Sequence, residues 1–438
     1  MDSLWLNGVK LPKFTPLKED ISTDVLVIGG GISGILCAYT LKEAGLSVVL
    51  VEANTLCSGN TAGTTAKITA QHGLIYHKLL NKFGSEKARL YLKCNQDAVA
   101  KYKALCQTID CDFEEKDAFV FATHKSELLE QELLALQTLH SSADFVKSLP
   151  LPFSTVGAIR FQKQAQFHPL KFLAALAKDL TIYEHTRVLE LMPGVARTSH
   201  GAIKANAIIC TTHFPFLNKH GSYFLKLYQH RSYVIALKNA AIPDGMYIGA
   251  EEPHLSFRNY GEFLLLGGYG HRTGKTGGSW QDLAYVAHRY YPQANCVYRW
   301  AAQDCIPLDS MPYIGQYSKN TPGMFVATGF QKWGMTSAMV AADTLKDLIL
   351  EGRNPYADLF SPSRSILHPQ LAVNGFESAA SLLNPRKPRC PHMGCVLKWN
   401  TQEHSWDCSC HGSRFTEEGR LLDGPASGDK PIKQHPKH

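Results

Sequence analysis

A glycine-rich turn between two apolar strands constrains this chain more than any other feature of its sequence. The run Asp24–Ile28 is apolar and partly β-branched, and it ends directly on Gly29-Gly-Gly-Ile-Ser-Gly34, a G-x-G-x-x-G pattern. Helix formers follow from Ile32 to Ala44, and Ser47–Val51 has the composition of a second buried strand. This order predicts a β-α-β unit with the glycines at the turn from strand to helix.

The glycines of this turn have separate physical roles in holding a dinucleotide. Gly29 permits the tight turn, Gly31 lets the backbone approach a pyrophosphate, and Gly34 lets the helix pack closely on the strand. The N–H groups at the helix N-terminus then face the phosphates. Glu52 closes the second strand, where its carboxylate accepts hydrogen bonds from ribose hydroxyls and repels a 2′-phosphate, which favours FAD or NAD over NADP. The predicted cofactor contacts of the unit are Gly29, Gly31, Ile32, Ser33, Gly34 and Glu52.

A second strand-turn-helix pattern near residue 330 favours FAD over NAD. Gly323–Gly329 is a short strand that ends in glycine, Phe330–Thr336 follows it, and a helical pattern continues to Leu350. The N-terminus of such a helix suits the N1/C2=O edge of a flavin, where negative charge collects on reduction, and Lys332 adds a positive charge. Taken alone, the pattern also fits an ordinary β-α crossover.

The composition is that of a globular protein of up to about three domains at roughly 150 residues each. Hydrophobic residues make up 45% of the 438 positions and charged residues 19%, and the net charge of +7 is spread along the chain. A spread of charge this mild gives no indication of nucleic-acid binding. The most apolar stretch, Val25–Leu41, is interrupted by glycines and falls short of a membrane span, and the first 20 residues contain no signal-peptide core. We therefore expect a soluble, cytoplasmic protein.

Several segments together resemble the FAD-dependent D-amino-acid oxidase superfamily, which includes glycine oxidase and sarcosine oxidase. They are Gly29–Gly34 with Glu52, Ser58–Lys67, Ala207–His213 and Asp309–Thr336. The resemblance covers residues 20 to 355 and implies FAD as cofactor. It also implies an α/β fold, with a Rossmann-like (glutathione-reductase-type) FAD-binding domain and an interrupted α+β substrate domain. The further flavin contacts it implies are Ser58, Gly59, Thr64, Thr65, Val188, Gly329, Trp333, Gly334, Met335 and Thr336.

Between the FAD-binding segments the hydrophobic pattern of the sequence changes. Residues 85–109 and 127–139 have amphipathic helical patterns, whereas 233–237 and 263–266 have strand patterns. We interpret these segments as one discontinuous substrate domain, a sheet over the flavin with helices on its far side. The predicted boundaries are 20–84, 155–215 and 305–360 for the FAD-binding domain, 85–154 and 216–304 for the substrate domain, 361–384 for a linker and 385–438 for a small C-terminal module.

Charged and aromatic side chains of these segments are candidate pocket groups, namely Lys67, His72, Tyr228, Arg231, Tyr233, His271 and Arg272. We single out Arg231 as an anchor for a substrate carboxylate, because a guanidinium binds a carboxylate through two hydrogen bonds. Flavin amine oxidation does not require a dedicated side-chain base. The catalytic candidates are Lys332, Lys67, His72, Arg231 and Tyr233.

Cysteine and histidine residues crowd together near the C-terminus. The boxes Cys390-Pro-His-Met-Gly-Cys395 and Cys408-Ser-Cys-His-Gly-Ser413 form the pattern C-x-H-x15-C-x-x-H. Two thiolates and two imidazoles suit a [2Fe–2S] cluster with the cysteines on one iron and the histidines on the other. The same four side chains also fit a zinc site. Val396–Trp399 and His404–Trp406 flank a polar turn, which predicts a hairpin that brings both boxes to one end.

The same segment resembles the cluster-binding half of Rieske proteins. The ligands implied by the resemblance are Cys390, His392, Cys408 and His411. It also implies a disulfide between Cys395 and Cys410 that ties the two loops together, a covering proline loop at Gly424–Ala426, and a hydrogen bond from Ser413 to a bridging sulfur. These additional features favour iron–sulfur over zinc.

The module departs from full Rieske domains in two ways. Only a short polar segment precedes the first box, so we expect the module to pack against the flavoprotein body or another subunit, because so small a unit buries little core of its own. Phe415 stands where high-potential relatives carry tyrosine. Loss of that hydroxyl donor is expected to lower the potential within the Rieske range of about −150 to +300 mV.

These features predict an FAD-dependent dehydrogenase that oxidises a small amine or amino acid by hydride transfer to FAD. The [2Fe–2S] cluster would pass the electrons singly to an external acceptor of unknown identity, and a homo-oligomer is compatible with the sequence. One alternative is a plain flavoprotein amine oxidase that reduces oxygen, with the Cys/His site as a structural zinc or partner-docking module. Another is a non-catalytic, redox-sensing flavoprotein.

Overall fold

The computed structural model describes residues 3–217, 220–365, 388–430 and 432. The strands in chain order are β1 (Ile21–Ile28), β2 (Val48–Val51), β3 (Lys67–Ile68), β4 (Glu114–Ala122), β5 (Asp144–Val146), β6 (Gly157–Gln166), β7 (Thr181–Tyr183), β8 (Val188–Met192), β9 (Val195–Thr198), β10 (Gly201–Cys210), β11 (Leu227–Lys238), β12 (Met246–Gly249), β13 (Ser256–Tyr260), β14 (Phe263–Arg272), β15 (Asn295–Pro307), β16 (Tyr313–Gln316), β17 (Met324–Thr328), β18 (Leu397–Asn400), β19 (Ser405–Cys408), β20 (Arg414–Phe415) and β21 (Leu421–Asp423). The helices are α1 (Ile32–Glu43), α2 (Tyr76–Cys106), α3 (Ser126–Thr138), α4 (Pro169–Ala177), α5 (Tyr223–Lys226), α6 (Trp280–Tyr290), α7 (Gly334–Leu350) and α8 (Ala357–Phe360), with short 3-10 turns at Leu4–Leu6 and Asn60–Gly63.

The first sheet contains the β-α-β unit that the glycine-rich turn predicts. Its strand order is β16-β17-β10-β1-β2-β7, and β1 runs parallel to both β2 and β10. Val25 and Val27 of β1 pack into the same core as α1 and α7, whereas Leu26 and Ile28 pack into a second core on the opposite face. Because both faces of the second half of β1 are buried, its sequence there, Val25–Ile28, is a continuous apolar run rather than an alternating one.

The second sheet has nine strands and lies over the first domain, in the order β15-β11-β14-β13-β12-β4-β6-β3, with β5 paired to β6. The predicted helices at 85–109 and 127–139 correspond to α2 and α3, and the strands at 233–237 and 263–266 lie within β11 and β14. Helix α2 begins earlier than predicted, at Tyr76, and is kinked at Gly84, where φ is +80°.

The predicted boundary at residue 155 differs from the structure. It assigns β6 to the FAD-binding domain, but β6 pairs with β3, β4 and β5 inside the second sheet. The second half of this strand is rich in glutamine and carries Lys163, which conceals its buried face. The second sheet therefore takes in more of the chain than 85–154 and 216–304.

The C-terminal module is a four-stranded antiparallel sheet in the order β18-β19-β20-β21. Strands β18 and β19 form the predicted hairpin, with Trp399 opposite Trp406. Its small core contains the four clustered cysteines together with Leu397, Phe415 and Ala426. Residues 366–384 of the predicted linker, and 385–387, 431 and 433–438 of the predicted module, lie outside the described residues. Within the described part of the chain, no helix has the length and apolarity that a bilayer span requires.

Candidate active site and cluster site

A cavity of about 770 Å³ extends from the glycine turn, past the second sheet, to the C-terminal module. Ligand pockets in proteins span about 300–1,000 Å³, so this one suits a single large ligand. The predicted cofactor residues in its wall are Gly29, Gly31, Ile32, Ser33, Glu52, Ser58, Gly59, Thr64, Thr65, Val188, Gly329, Trp333, Gly334 and Met335. The other two predicted contacts, Gly34 and Thr336, lie behind the wall.

The backbone of the turn leaves no room for side chains at two of its glycines. Gly29 has φ of +114°, and a Cβ there would lie 2.9 Å from the carbonyl oxygen of Thr211. A Cβ on Gly34 would lie only 1.9 Å from the carbonyl oxygen of Gly29. Glycine at these positions thus allows α1 to begin directly against β1, as the sequence predicts.

The start of α1 has the polar groups that a bound phosphate requires. The hydroxyl of Ser33 is buried beside the thiol of Cys37 and pairs with no oxygen or nitrogen atom of the described residues. It lies in the cavity wall beside the N-terminal turn of α1, whose N–H groups carry partial positive charge. A buried hydroxyl with only a weak thiol neighbour at this position fits the pyrophosphate of a dinucleotide.

Glu52 and Thr61 brace the turn from outside. The two carboxylate oxygens of Glu52 accept hydrogen bonds from the N–H groups of Gly30 and Asn54, each at 2.7 Å. The hydroxyl of Thr61 accepts a hydrogen bond from the N–H of Ile32 at 3.1 Å. Each carboxylate oxygen has a second lone pair, which leaves Glu52 able to accept from a ribose as predicted. Nothing in the sequence pattern singled out Thr61.

His72 lies in the cavity wall, where its ring is held by neighbouring side chains. Its Nδ1 lies 2.6 Å from the hydroxyl of Tyr91, and its Nε2 lies 2.9 Å from the hydroxyl of Thr336. The ring stacks on Trp333 with centroids 4.8 Å apart. Burial lowers the pKa of His72 to about 3, so the imidazole is neutral at ordinary pH. Both ring nitrogens are thus engaged within the protein, and the catalytic role of His72 stays a prediction.

Two lysines face the cavity in different states. Lys67 is buried and bonded to the hydroxyl of Ser256, and burial together with the charge of Arg258 lowers its pKa to about 7. Lys332 is exposed in the turn that precedes α7. Near it lies Asp304, which the sequence did not single out, and burial raises the pKa of this carboxyl to about 6 against the opposing charge of Lys332.

The C-terminal module brings the four predicted cluster ligands together. The rings of His392 and His411 have centroids 4.9 Å apart at 85°. The thiols of Cys390 and Cys408 hydrogen-bond each other. The sulfur atoms of Cys395, Cys408 and Cys410 all lie within 4.8 Å of one another. Both boxes therefore meet at one end of the β18–β19 hairpin, as the sequence predicts.

The chemistry of this donor set fits a metal cluster. Nδ1 of His411 is buried without a hydrogen-bond partner among the described residues, as expected of a ligand atom. Burial, followed by the neighbouring His411, lowers the pKa of His392 to about 4, which keeps its imidazole in the neutral form that binds metals. The hydroxyl of Ser413 hydrogen-bonds the Cys390 thiol and accepts the N–H of Ala426 at 3.0 Å. Cys395 and Cys410 are both thiols here, so their disulfide stays a prediction.

Comparison with known families identifies the two domains and their cofactors. Residues 24–348 match the family model DAO, described as FAD dependent oxidoreductase. The chain belongs to the DAO family of FAD dependent oxidoreductases. Residues 385–436 match the Rieske [2Fe-2S] domain, so FAD and a [2Fe–2S] cluster are the cofactors of this DAO-family protein, and the zinc alternative is set aside. We call residues 388–430 the Rieske module below.

Relatives share this combination of domains in whole or in part. The Bacillus subtilis Rieske 2Fe-2S iron-sulfur protein YhfW is 36% identical over 99% of this chain and 97% of its own length. The Escherichia coli γ-glutamylputrescine oxidoreductase is 23% identical over 78% of this chain and 86% of its own. Glycine oxidase from Geobacillus kaustophilus superposes with a TM-score of 0.67 at 20% identity, covering 79% of this chain and 99% of that one.

Arg231 of the DAO domain is bound to the Rieske module and not to the substrate cavity. Its Nε donates to Oε1 of Glu403 at 3.0 Å, and its Nη2 donates to Oε2. The two side chains are 5% and 7% exposed, and the hydroxyl of Tyr233 also donates to Glu403, at 3.4 Å. Our prediction that Arg231 anchors a substrate carboxylate is therefore wrong, because a carboxylate of the chain itself occupies the guanidinium.

Other candidate pocket residues lie at the same junction. Arg272 donates from Nε to the carbonyl of Ser409 at 3.2 Å and lies over the ring of Tyr228. His271 stacks on Tyr233 with centroids 5.7 Å apart. Of this group, Tyr233 lines the cavity, whereas Tyr228, Arg231, His271 and Arg272 are outside its wall. Three of the seven residues predicted to line the pocket, Arg231, Tyr233 and Arg272, thus bind the Rieske module.

Two buried glutamines that the sequence did not reveal bind the cluster loops by their backbone. Nε2 of Gln229 donates to the carbonyls of His411 and Gly424, at 2.9 and 3.0 Å. Nε2 of Gln303 donates to the carbonyl of Gly412 at 2.9 Å. A Cβ on Gly412 would lie 2.6 Å from Cβ of Gln229, so the two parts are in direct contact.

Proposed function

We propose that this protein is a dehydrogenase that oxidises a small amine or amino acid at FAD and passes the electrons through its own Rieske cluster to an external acceptor. The observation that carries the proposal is a shared wall. Leu421–Ser427 of the Rieske module line the same cavity as residues 29–33 of the glycine turn. FAD supplies a two-electron acceptor and the cluster a one-electron carrier, so the pair converts substrate oxidation into single-electron transfers.

The proposed substrate class rests on relatives and on the cavity. One relative is named γ-glutamylputrescine oxidoreductase and one structural neighbour glycine oxidase, names that denote an amine and an amino acid. An amine must lose a proton from its ammonium form before it can give up a hydride. With a pKa lowered to about 7, Lys67 is in the cavity wall and is partly neutral at physiological pH, which suits it to accept that proton.

We also propose roles for the residues that would hold the two cofactors. The cavity-lining glycines with Ser33 and Glu52 hold the dinucleotide, and Lys332 with the N-terminus of α7 faces the flavin edge. Cys390, His392, Cys408 and His411 hold the cluster, and Cys395 with Cys410 forms the disulfide. The division into a FAD-binding domain, a substrate domain and a Rieske module also stays a proposal, with β6 now assigned to the second of these.

The docked Rieske module supports a dehydrogenase over an oxidase in this proposal. If oxygen alone were the acceptor, electrons would have no need of a second cofactor. The Rieske module packs over the cavity through buried contacts of its own backbone. We infer that electrons leave through the cluster, and the plain oxidase becomes an outcome of the test.

The test is an anaerobic screen of amines and amino acids against the purified full-length protein. We expect a substrate that bleaches the flavin absorption to produce the EPR signal of a reduced Rieske centre in the same sample. Bleaching with an oxidised cluster, followed by rapid peroxide formation in air, would support the plain oxidase. A flavin that no substrate bleaches would favour the redox sensor.

A further inference from the structure

The turn after β10 separates the FAD cavity from the Rieske cluster site. Phe214 lies in this turn, is 3% exposed, and lines the cavity. Its ring centroid lies 6.1 Å from that of His411 at 69° and 6.4 Å from that of His392 at 77°. One side chain therefore contacts the cavity and both histidine ligands, with edge-to-face packing against each imidazole.

Two nearby phenylalanines each make one of the two kinds of contact that Phe214 makes, either with the cavity or with a histidine ligand. Phe216 lines the cavity, and among the described residues its ring has no contact with either histidine. The ring of Phe224 lies 6.2 Å from that of His411 at 85°, but Phe224 is outside the cavity wall. The chain thus provides two internal comparisons for Phe214.

Hydrogen bonds hold the backbone at Phe214 and at the histidine ligand that its ring contacts. The hydroxyl of Thr212 donates to the carbonyl of Phe214 at 3.1 Å, and the hydroxyl of Thr328 donates to the carbonyl of His213. On the other side, Gln229 holds the carbonyl of His411. The backbone on both sides of the ring is therefore tied down by hydrogen bonds.

We propose that Phe214 is the positioning residue that joins the flavin cavity to the cluster, filling the gap between them and fixing both imidazole ligands against it. This inference rests on the proposed function. In each event one electron leaves the reduced flavin and converts one ferric ion of the cluster to ferrous. The second electron follows once the external acceptor has reoxidised the cluster, and the protons go to solvent.

The physical reason is packing between the two cofactors. Protein interiors are filled to crystal-like density, and a void removes the atom-to-atom contacts on one side of every group that lines it. Truncating Phe214 would open such a void where electronic coupling depends on continuous contact. It would also free both imidazole rings on the same face.

The experiment compares Phe214→Leu with Phe216→Leu and Phe224→Leu in the full-length protein loaded with both cofactors. The flavin is reduced by rapid anaerobic mixing, and the appearance of reduced cluster is followed by optical and freeze-quench EPR spectroscopy. A mediated redox titration gives the cluster potential of each variant separately. We expect Phe214→Leu to slow cluster reduction several-fold and to change the EPR line shape. Phe216→Leu and Phe224→Leu should have a smaller effect on both, because each of these side chains makes only one of the two kinds of contact that Phe214 makes.

Three outcomes are distinguishable. A wild-type cluster that the reduced flavin never reduces would overturn the proposed function itself. A normal wild-type rate with an equal rate and line shape in Phe214→Leu would overturn this inference alone. Phe214→Tyr, which keeps the ring, is expected to restore the wild-type rate. If Phe214→Leu fails to load both cofactors, Phe214→Met replaces it under the same criteria.

Discussion

Removing Glu403 tests whether a buried ion network holds the Rieske module on the DAO domain. Glu403 accepts hydrogen bonds from Arg231 on β11, from Tyr233 beside it, and from Arg414 on β20 at 2.8 Å. Without Glu403, Arg414 would still form an ion pair with Asp407 at 3.0 Å. Among the described residues, the ion-pair partner left to Arg231 would be Asp423, at 4.0 Å. Stranding one buried charge costs about 3–5 kcal/mol, so we take about 3 kcal/mol for Glu403→Ala.

At about 1.4 kcal/mol per factor of ten, that loss weakens docking of the module about a hundredfold. Hydrogen exchange followed by mass spectrometry measures this directly in the cavity-wall segment Leu421–Ala426. We expect faster exchange in this segment in Glu403→Ala. Exchange should be unchanged in Glu417→Ala, which removes the same charge from the exposed surface of the module. Unchanged exchange in a Glu403→Ala protein that holds both cofactors would refute the role of the network.

The pH dependence of the docked state follows from the same carboxyl. Burial works to raise the pKa of Glu403, but the charges of Arg231 and Arg414 outweigh it and hold the pKa below its usual value. The ion pair therefore contributes fully above the ordinary glutamate pKa and is lost as the pH falls through the lowered value. Docking should persist across the neutral range and weaken only in acid.

Other predictions concern single residues of the two sites. Because the pKa of Lys67 is lowered to about 7, the rate of flavin reduction by an amine should rise with pH through that value. In stopped-flow measurements, the pH profile of Lys67→Gln should lack this rise. Gly34→Ala places a Cβ 1.9 Å from the carbonyl oxygen of Gly29 and should abolish FAD retention in gel filtration, whereas Gly428→Ala, which meets open space, should retain it. Phe415 is fully buried in the module core, and Phe415→Tyr should raise the cluster potential in a redox titration, because a hydroxyl donor near the cluster stabilises its reduced form; an unchanged potential would contradict the predicted effect of this position.

The parts of the fold that the sequence predicts are those governed by local rules. Gly29 and Gly34 specify a turn that other residues cannot adopt, and the apolar run at Val25–Ile28 specifies a strand buried on both faces. The pattern of the two cysteine and histidine boxes indicates a metal site, and the runs Val396–Trp399 and His404–Trp406 around a polar turn predict the hairpin. Each of these signals lies within a short stretch of chain.

The parts that escaped prediction depend on contacts between distant segments. Arg231 has the chemistry of a substrate anchor, but Glu403 lies 172 residues away in sequence and reaches it only in the folded chain. Gln229 and Gln303 bind backbone carbonyls, which no sequence pattern marks. The place of strand β6 in the second sheet was not predicted, because its glutamines and Lys163 interrupt the apolar pattern expected of a strand inside a sheet.

The dependence of cluster reduction on protein concentration shows whether the flavin and the cluster exchange electrons within one molecule. The flavin is reduced anaerobically by substrate, and the rate at which the cluster signal appears is measured over a range of dilutions. With the Rieske module forming part of the FAD cavity wall, the rate should be first order and independent of concentration. A rate proportional to protein concentration, or a cluster that stays oxidised beside a bleached flavin, would contradict the account.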